Sequence, residues 1–308
     1  MEQRTMEIVL KYFRKKYNLS QEEICEGICS VTTLSRLEQG NREIDSLLGQ
    51  TLLGRIGKEV TLFETMLNEA DFELWKIRTE IEDYVEKNQF KAAKQKIREY
   101  RQVMPQEERI HEQFCLYQEA LLIIAEKKPL EQLCKTLEKG IKITISDFGE
   151  EIDKKRLYSP IEIEMIFLLI HYDDSKENIA EQELLKILDY VEKYYSDRKK
   201  EKVGTKIFLE LIRHQKQRND YEKILVYTEE AINFISRGTG FHHLADIYFL
   251  RAKTREKMFC EEKENQEWIR LSIEECELAY HLYEIEDNEK QAEEAAKFYE
   301  KLVQENGG

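Results

Sequence analysis

Four polar side chains with the hydrogen-bonding groups that read DNA bases fall within one short segment. Thr32, Thr33 and Ser35 carry small hydroxyls that let a helix approach the floor of the major groove, and Arg36 can reach a guanine edge or a phosphate. A helix predicted over residues 31–39 would place all four on its outer face. This arrangement suits direct contact with bases.

The opposite face of the same helix is apolar. Val31, Leu34 and Leu37 recur at three-residue spacing, and we expect them to face a domain core. Short amphipathic helices with polar outer faces also occur in any all-helical protein. The pattern alone therefore leaves open a helix that is simply exposed to solvent.

Local capping signals predict where this helix and the one before it begin. Ser20 and Glu23 have the spacing of a capping box, so a helix should start at Gln21. After a tight turn, Ser30 is placed to cap the second helix, which Gly40 should end. Two short helices separated by a tight turn are the layout of a helix-turn-helix.

The segment resembles the helix-turn-helix of the XRE family of bacterial regulators. Leu19-Ser20-Gln21-Glu22-Glu23-Ile24-Cys25 is similar to the usual start of that motif, and Thr33-Leu34-Ser35-Arg36-Leu37-Glu38-Gln39-Gly40 is similar to its end. The turn, Glu26-Gly27-Ile28-Cys29-Ser30, resembles the variant found in Rgg- and PlcR-type (RRNPP) regulators. That resemblance implies a tetratricopeptide-like (TPR-like) array that binds a short signalling peptide.

Further DNA contacts are expected around the motif. Basic side chains of the first helix (Lys11, Arg14, Lys15 and Lys16) and Arg42 are candidates for phosphate contact, although each could equally belong to a solvated charged face. The predicted DNA-contact set comprises Gln21, Ser30, Thr32, Thr33, Ser35, Arg36, Arg42 and Lys15.

Charge separates this N-terminal region from the rest of the chain. Residues 1–57, called the head below, contain eight Lys or Arg and eight Asp or Glu, so the net charge of −14 lies in residues 58–308. Only the head can approach DNA without strong repulsion. Because a neutral head should bind DNA weakly by itself, we expect a homodimer that presents two heads to a double-stranded operator with two half-sites.

The sequence predicts an all-α protein in which a small helix-turn-helix domain precedes a TPR-like solenoid of helical hairpins. The predicted domains are the head (1–57), a linker (58–70) and the array (71–308). Twelve glycines and three prolines in 308 residues fit continuous helix. Helical periodicity predicts helices over 71–87, 90–102, 107–126, 130–142, 160–172, 179–197, 203–217, 220–236, 240–257, 263–283 and 288–305.

Two further patterns favour stacked hairpins. The segment 107–126 has two apolar stripes, which require neighbours on both sides. A polar turn followed by an aromatic residue that opens a helix occurs at Asn88-Gln89-Phe90 and Asn219-Asp220-Tyr221, with Lys128-Pro129-Leu130 as a third candidate. The interval from Thr144 to Ser159 has no clear period and is expected to be a loop or a distorted repeat.

Several polar and aromatic residues could line a peptide-binding groove in the array. For each of them, surface exposure or packing between helices is the alternative role. The candidates are Tyr117, Glu164, Arg213, Asn233, His243, Tyr248 and Arg251.

Enzymatic and metal-binding readings find little support in the sequence. The six cysteines form no Cys-x-x-Cys pair, and Cys25 and Cys29 are expected to be small core residues. We recognise no phosphate-binding loop or catalytic motif, so we expect no enzyme, cofactor or metal. The longest apolar run, Met165 to Ile170, is too short to span a membrane, and a cytoplasmic protein is expected.

These observations favour a DNA-binding transcription regulator whose array senses a short peptide by a shift between conformations. Two alternatives remain at this point. One is an interaction adaptor whose array grips another protein and whose helix-turn-helix is auxiliary. The other is a regulator without a ligand, whose array only dimerises.

Overall fold

A computed structural model describes residues 5–41, 45–58, 69–106, 109–150, 156–173, 177–237, 243–261 and 266–306. Within those ranges the only regular secondary structure is helical, which confirms the all-α prediction. Four helices lie in the head: α1 (Thr5–Lys16), α2 (Gln21–Cys25), α3 (Val31–Glu38) and α4 (Ser46–Gly54).

In the described ranges beyond the head, eleven longer helices follow. They are α5 (Glu69–Glu86), α6 (Phe90–Val103), α7 (Arg109–Ala125), α8 (Leu130–Thr144), α9 (Pro160–Tyr172), α10 (Glu177–Tyr194), α11 (Asp197–Arg218), α12 (Tyr221–Ile235), α13 (Leu244–Glu261), α14 (Gln266–Ile285) and α15 (Glu289–Asn306). Each predicted segment corresponds to one of these helices. The largest difference is at α11, which begins six residues before its predicted start.

The early start of α11 has a tertiary cause. Its first turns are rich in charge and lack an apolar period, but Glu201 and Thr205 are buried. Gly204 lies so close to the Phe234 ring of α12 that a Cβ would stand 2.3 Å from its Cε1 atom. Packing against α12 therefore extends the helix beyond its apolar pattern.

Left-handed residues end the first helix of four hairpins. Asn88, Lys127, Asn219 and Asp287 have φ between 53° and 57°. In each case the next residue donates its amide to the carbonyl five residues earlier, as Gln89 does to Tyr84 at 2.8 Å. This is the Schellman arrangement, which satisfies the last carbonyls of a helix and reverses the chain. The three predicted hairpin turns are all of this type.

The chain packs as two compact units, Met1–Tyr195 and Ser196–Gly308. The first unit contains the head together with helices α5–α10, and α4 packs on α5 and α7. The second unit contains α11–α15; α13, α14 and α15 share a core around Phe249, Cys276, Tyr283 and Leu302. Most of the predicted linker, residues 59–68, lies outside the described residues. The division at residue 57 stays a prediction.

The described residues of the interval after α8 are irregular, as expected. Residues 145–150 form turns, with Phe148 at the edge of the core, and residues 156–159 are extended. Arg156 crosses back to Asp147, with Nη1 2.6 Å from Oδ1. The described parts of this interval, 145–150 and 156–159, are loop segments of the first unit.

Candidate nucleic-acid interface

The capping signals read from the sequence are present in the structure. Ser20 Oγ accepts the Glu23 amide at 3.1 Å, and the Glu23 carboxylate accepts the Ser20 amide at 2.6 Å, which completes the capping box. Ser30 Oγ accepts the Thr33 amide at 3.0 Å and so caps α3. Both helices of the motif begin at the predicted residues.

The turn between α2 and α3 is short and tightly bonded. The amides of Ile28 and Cys29 both donate to the Cys25 carbonyl, at 2.9 and 3.1 Å. Gly27 has φ +71°, a conformation that favours glycine because it has no Cβ. This turn fixes the crossing of the two helices.

The inner face of α3 follows the prediction at two of three positions. Leu34 and Leu37 are fully buried, whereas Val31 is 36% exposed and its predicted place in the core is wrong. At roughly 100° per residue, Val31 lies about 120° around the helix from Leu37. Residues spaced by three positions are rotated by about 60° from one to the next, so they do not stay on one face of the helix. Val31, the first member of the series, therefore points away from the core.

The outer face of α3 presents two of the predicted base-contacting residues most openly. Thr32 and Arg36 are exposed and lie one turn apart on the same side, while Thr33 and Ser35 are half-buried. The Thr33 and Ser30 hydroxyls are 2.9 Å apart, and Ser35 Oγ accepts Gln39 Nε2 at 3.3 Å. Thr32 and Arg36 are therefore the pair best placed to contact a base.

The buried carboxylate of Glu38, at the end of α3, connects this helix to α1 and α2. Glu38 accepts Arg14 Nε at 2.5 Å and Nη2 at 2.8 Å, and Gln21 Nε2 at 2.9 Å. Arg14 also donates to the Leu19 carbonyl at 3.1 Å. Arg14 and Gln21 thus hold the motif together, and their predicted contact with DNA stays a prediction.

Electrostatics favours the ionised form of Glu38. Burial raises the pKa of this carboxyl, but the hydrogen bonds from Arg14 and Gln21 outweigh it, and the net pKa is lowered.

Of the other predicted phosphate contacts, Lys15 is exposed, and Arg42 lies outside the described residues. Lys15 and Lys16 remain available at the end of α1.

The head packs closely against α8, α9 and α10 of its own unit. A Cβ on Gly27 would stand 1.9 Å from the Thr144 carbonyl oxygen, and one on Gly57 would stand 2.2 Å from that of Tyr194. The Tyr190 hydroxyl donates to the Gly54 carbonyl at 2.9 Å. These positions need glycine because the backbones approach each other so closely.

Arg55 stabilises the contact between the head and α9 through an ion pair. Its Nη2 lies 2.6 Å from Glu162 Oε1, and its Nη1 donates to the carbonyls of Ile24 and Glu26 at the end of α2. Glu162 belongs to the capping box with Ser159 that begins α9. This ion pair could not be predicted from the sequence, because its members are more than a hundred residues apart.

A buried polar network connects the start of α4 to α5, α6 and α7. Arg78 donates to the hydroxyls of Tyr100 and Ser46, at 3.0 and 2.7 Å. The Tyr100 hydroxyl is 2.5 Å from His111 Nδ1, and His111 Nε2 is 3.3 Å from Asp45 Oδ1. Burial raises the pKa of Asp45, but its hydrogen bond with His111 and the nearby positive charges lower it to about 2. This network was also missed, because nothing local in the sequence distinguishes its members.

The predicted peptide contacts are divided between the two units. Tyr117 and Glu164 lie in the first unit, and burial raises the pKa of Tyr117 to about 12. Arg213, Asn233, His243, Tyr248 and Arg251 lie in the second unit.

Of the five in the second unit, two arginines already form ion pairs. Arg251 is buried, with Nε 2.9 Å from Glu275 and Nη1 2.5 Å from Glu229, and Arg213 Nε lies 2.7 Å from Glu210. Asn233 and His243 are exposed, and Tyr248 is half-buried. The ion pairs give both arginines a role in holding neighbouring side chains.

One cavity in the first unit is not lined by any of these candidates. It encloses about 180 Å³ between α8, the following loop, α9 and α10. Its walls include Lys142, Phe148, Leu169, Ile170 and Glu183.

Over the described ranges, no helix is both long and apolar enough to cross a lipid bilayer.

Residues 10–61 match the helix-turn-helix (HTH_3) family model, so the predicted helix-turn-helix is confirmed. No curated protein sequence matches the chain. Among solved structures it is similar to ComR from S. thermophilus in complex with DNA and its signalling peptide ComS, with 17% identity, 96% of this chain and 99% of that chain covered, and a TM-score of 0.42.

Two other solved structures are similar over comparable lengths. PlcR from Bacillus thuringiensis in complex with the peptide PapR7 and DNA has 16% identity, covers 97% and 98% of the two chains, and has a TM-score of 0.45. The SHP pheromone receptor Rgg2 from Streptococcus dysgalactiae has 11% identity, covers 96% and 99%, and has a TM-score of 0.44.

Proposed function

We propose that this chain is a cytoplasmic DNA-binding transcription regulator whose helical array binds a short signalling peptide. The observation that carries the DNA-binding part is the geometry of α3. Ser30 caps the helix, Leu34 and Leu37 fix its inner face, and Thr32 and Arg36 stand exposed on its outer face. A recognition helix must be packed firmly on its own domain and must present exposed hydrogen-bonding groups to the bases.

The balance of charge supports a dimer that places two heads on one operator. Each head has no net charge, so its phosphate contacts come from a few exposed side chains such as Lys15 and Lys16. Few phosphate contacts give weak non-specific affinity. Two heads in successive major grooves, reading two half-sites, would raise affinity and specificity together.

The array is the proposed site for the peptide. Residues 58–308 carry the whole net charge of −14, which disfavours nucleic acid and suits a peptide ligand. The head contacts α8, α9 and α10 through Arg55, Gly27 and Gly57, so a change in those helices would reach it directly. A peptide with different affinities for two arrangements of these helices would change DNA occupancy.

Selection of DNA from the source genome tests the DNA-binding part of the proposal. The purified protein is mixed with genomic fragments at physiological salt, and the retained fragments are sequenced. We expect a few sites with inverted half-sites to be enriched. Arg36→Ala should lose this enrichment, since one good base contact contributes about 1–3 kcal/mol of discrimination.

Arg270→Ala is the matched control for that experiment. Arg270 is an exposed arginine of α14 that pairs with Glu274 on its own helix, so its loss removes the same charge far along the chain. The Arg270→Ala variant should enrich the same DNA sites to the same extent as the parent protein. Enrichment that is absent, or that survives Arg36→Ala, would contradict the proposed recognition helix and favour an interaction adaptor.

Peptide sensing is tested with the operator obtained in this way. Peptides from the source organism's culture medium are screened for a change in operator affinity, and direct peptide binding is then measured by calorimetry. Arg36→Ala should bind an active peptide as the parent does but fail to bind the operator. If no peptide changes operator affinity, the array would serve dimerisation alone.

A further inference from the structure

Two cysteines lie on either side of the helix-turn-helix turn. The Cys29 amide donates to the Cys25 carbonyl at 3.1 Å, which brings the two residues together across the turn. The Cys25 thiol donates to the Glu22 carbonyl at 3.8 Å, and neither cysteine is in a disulfide. Cys25 is 3% exposed, whereas Cys29 is only half-buried. Solvent therefore reaches this dithiol through Cys29.

The surroundings of Cys25 favour its thiolate. The interaction with Cys29 lowers the pKa of Cys25 and burial opposes this effect. Of the nearby charges, the Glu22 carboxylate raises the pKa and the Arg55 guanidinium lowers it; the net pKa is lowered. The other buried thiols show the contrast. Burial raises the pKa of Cys115 to about 12 and that of Cys276 to about 11. The pair in the turn is chemically distinct from these inert core thiols.

We propose that Cys25 and Cys29 form an oxidation site at which a hydroperoxide converts the dithiol into an intramolecular disulfide. In the first step the Cys29 sulfur attacks the peroxide: an S–O bond forms, the O–O bond breaks, and the alcohol leaves with the thiol proton. In the second step the Cys25 sulfur attacks the sulfenic acid of Cys29. The S–S bond forms, the S–O bond breaks, and water leaves with the remaining proton.

Closing this disulfide would tie the start of α3 to the core. Cys25 and Cys29 flank a non-helical turn, in which Gly27 has φ +71°, and a disulfide holds its two Cβ atoms about 3.5–4.5 Å apart. Cys25 is fixed in the core, so Cys29 would take up the adjustment, and the next residue, Ser30, is the cap of α3. An adjustment at Ser30 would displace the exposed face of the recognition helix. This consequence for DNA binding rests on the proposed function.

Mass spectrometry of the intact, full-length protein after peroxide treatment tests the site directly. Trypsin releases residues 17–36, which contain these two cysteines and no other. After treatment with hydrogen peroxide and alkylation of free thiols, we expect this peptide to have lost two hydrogens and to carry no alkyl group. Dithiothreitol should restore two alkylation sites.

Two variants separate the proposed site from other thiols. Cys29→Ser should prevent the internal disulfide, whereas Cys260→Ser removes an exposed thiol elsewhere and should leave it unchanged. Recovery of peptide 17–36 with both thiols alkylated, or with each sulfur oxidised separately, overturns the proposal. Because the wild-type measurement needs no substitution, poor folding of a variant does not affect it.

The DNA readout is scored separately. Oxidation should weaken operator binding by about tenfold, roughly the effect of losing one base contact, with recovery on reduction and no effect of peroxide on Cys29→Ser. If the reduced protein binds no operator, the proposed function fails while the mass result still decides the oxidation site. If the disulfide forms and operator affinity is unchanged, the coupling to α3 is wrong.

Discussion

Arg55 and Glu162 form an ion pair that joins the helix-turn-helix to α9, with Nη2 2.6 Å from Oε1 and both side chains almost wholly excluded from solvent. Arg55 also holds the carbonyls of Ile24 and Glu26, where α2 ends. Glu162 at the same time caps α9 through Ser159. One guanidinium therefore ties the turn of the DNA-binding motif to the start of a helix in the array.

Removing the charge of Glu162 should destabilise the protein strongly. Glu162→Gln leaves the Arg55 guanidinium buried without its counter-charge, and breaking a buried pair in this way costs about 3–5 kcal/mol. Urea denaturation should show a loss of that size in the free energy of unfolding. Glutamine keeps the size of the side chain, so the effect reports charge and not volume.

Two further measurements test whether the loss of stability in Glu162→Gln comes from the broken ion pair. Glu131→Gln removes a carboxylate from an exposed pair with Lys135 and should leave the unfolding midpoint unchanged. In an Arg55→Met background, Glu162→Gln should become neutral or stabilising, because Glu162 then has no partner to lose. Equal losses in both backgrounds would mean that the two residues act independently.

Asp45 should make stability depend on pH in the acid range. Its pKa is about 2 in the folded protein, against an ordinary value of 3.8, so it stabilises the fold above about pH 4 and this contribution is lost as the pH falls towards 2. Asp45→Asn keeps the cap of α4 but lacks the charge. It should be less stable by about 2 kcal/mol at pH 7, and the difference should vanish near pH 2.

The neighbouring Asp71 acts in the opposite sense, because burial raises its pKa. It weakens the fold when ionised, so the acid dependence of the parent is smaller than Asp45 alone would give. Asp197→Asn, at an 89% exposed side chain, is the control and should follow the parent at every pH. A pH-independent difference for Asp45→Asn would show that His111 does not stabilise the charge.

Gly27→Ala should loosen the packing of the head on α8. Alanine pays a conformational cost of about 1 kcal/mol or more at a positive φ, and its Cβ would also overlap the Thr144 carbonyl. Gly40, with φ +70° at the end of α3, serves as the comparison for the conformational cost. In urea denaturation Gly27→Ala should lose clearly more stability than Gly40→Ala, and equal losses would argue against a close contact with Thr144.

Local sequence was sufficient to locate the helices, apart from the first turns of α11. Ser20, Glu23 and Ser30 act within three residues of their partners, so their capping roles follow from spacing alone. The same is true of the turns at Asn88 and Asn219, where a left-handed residue closes one helix just before the next begins. Helix starts and hairpins were predictable because the interactions that define them are short in sequence.

The contacts between elements were not predictable in this way. Glu38 follows the predicted base-contacting residues on α3, yet it is buried and bonded to Arg14 and Gln21. Asp45 and His111 meet only because α4 packs on α7. A single sequence shows which residues are polar but not which distant partner each one meets.

Ser30 offers a test that separates stability from DNA contact. Ser30→Ala removes the cap of α3 and should cost about 1 kcal/mol of unfolding free energy, with a matching fall in operator affinity as the helix start frays. Ser30→Asp keeps the cap, so stability should be retained, but its negative charge beside the recognition helix should repel the phosphates and weaken operator binding more than alanine does. Ser30→Asn keeps the cap without the charge and should resemble the parent in both measurements. If Ser30→Asp binds the operator as well as the parent does, the start of α3 does not face DNA.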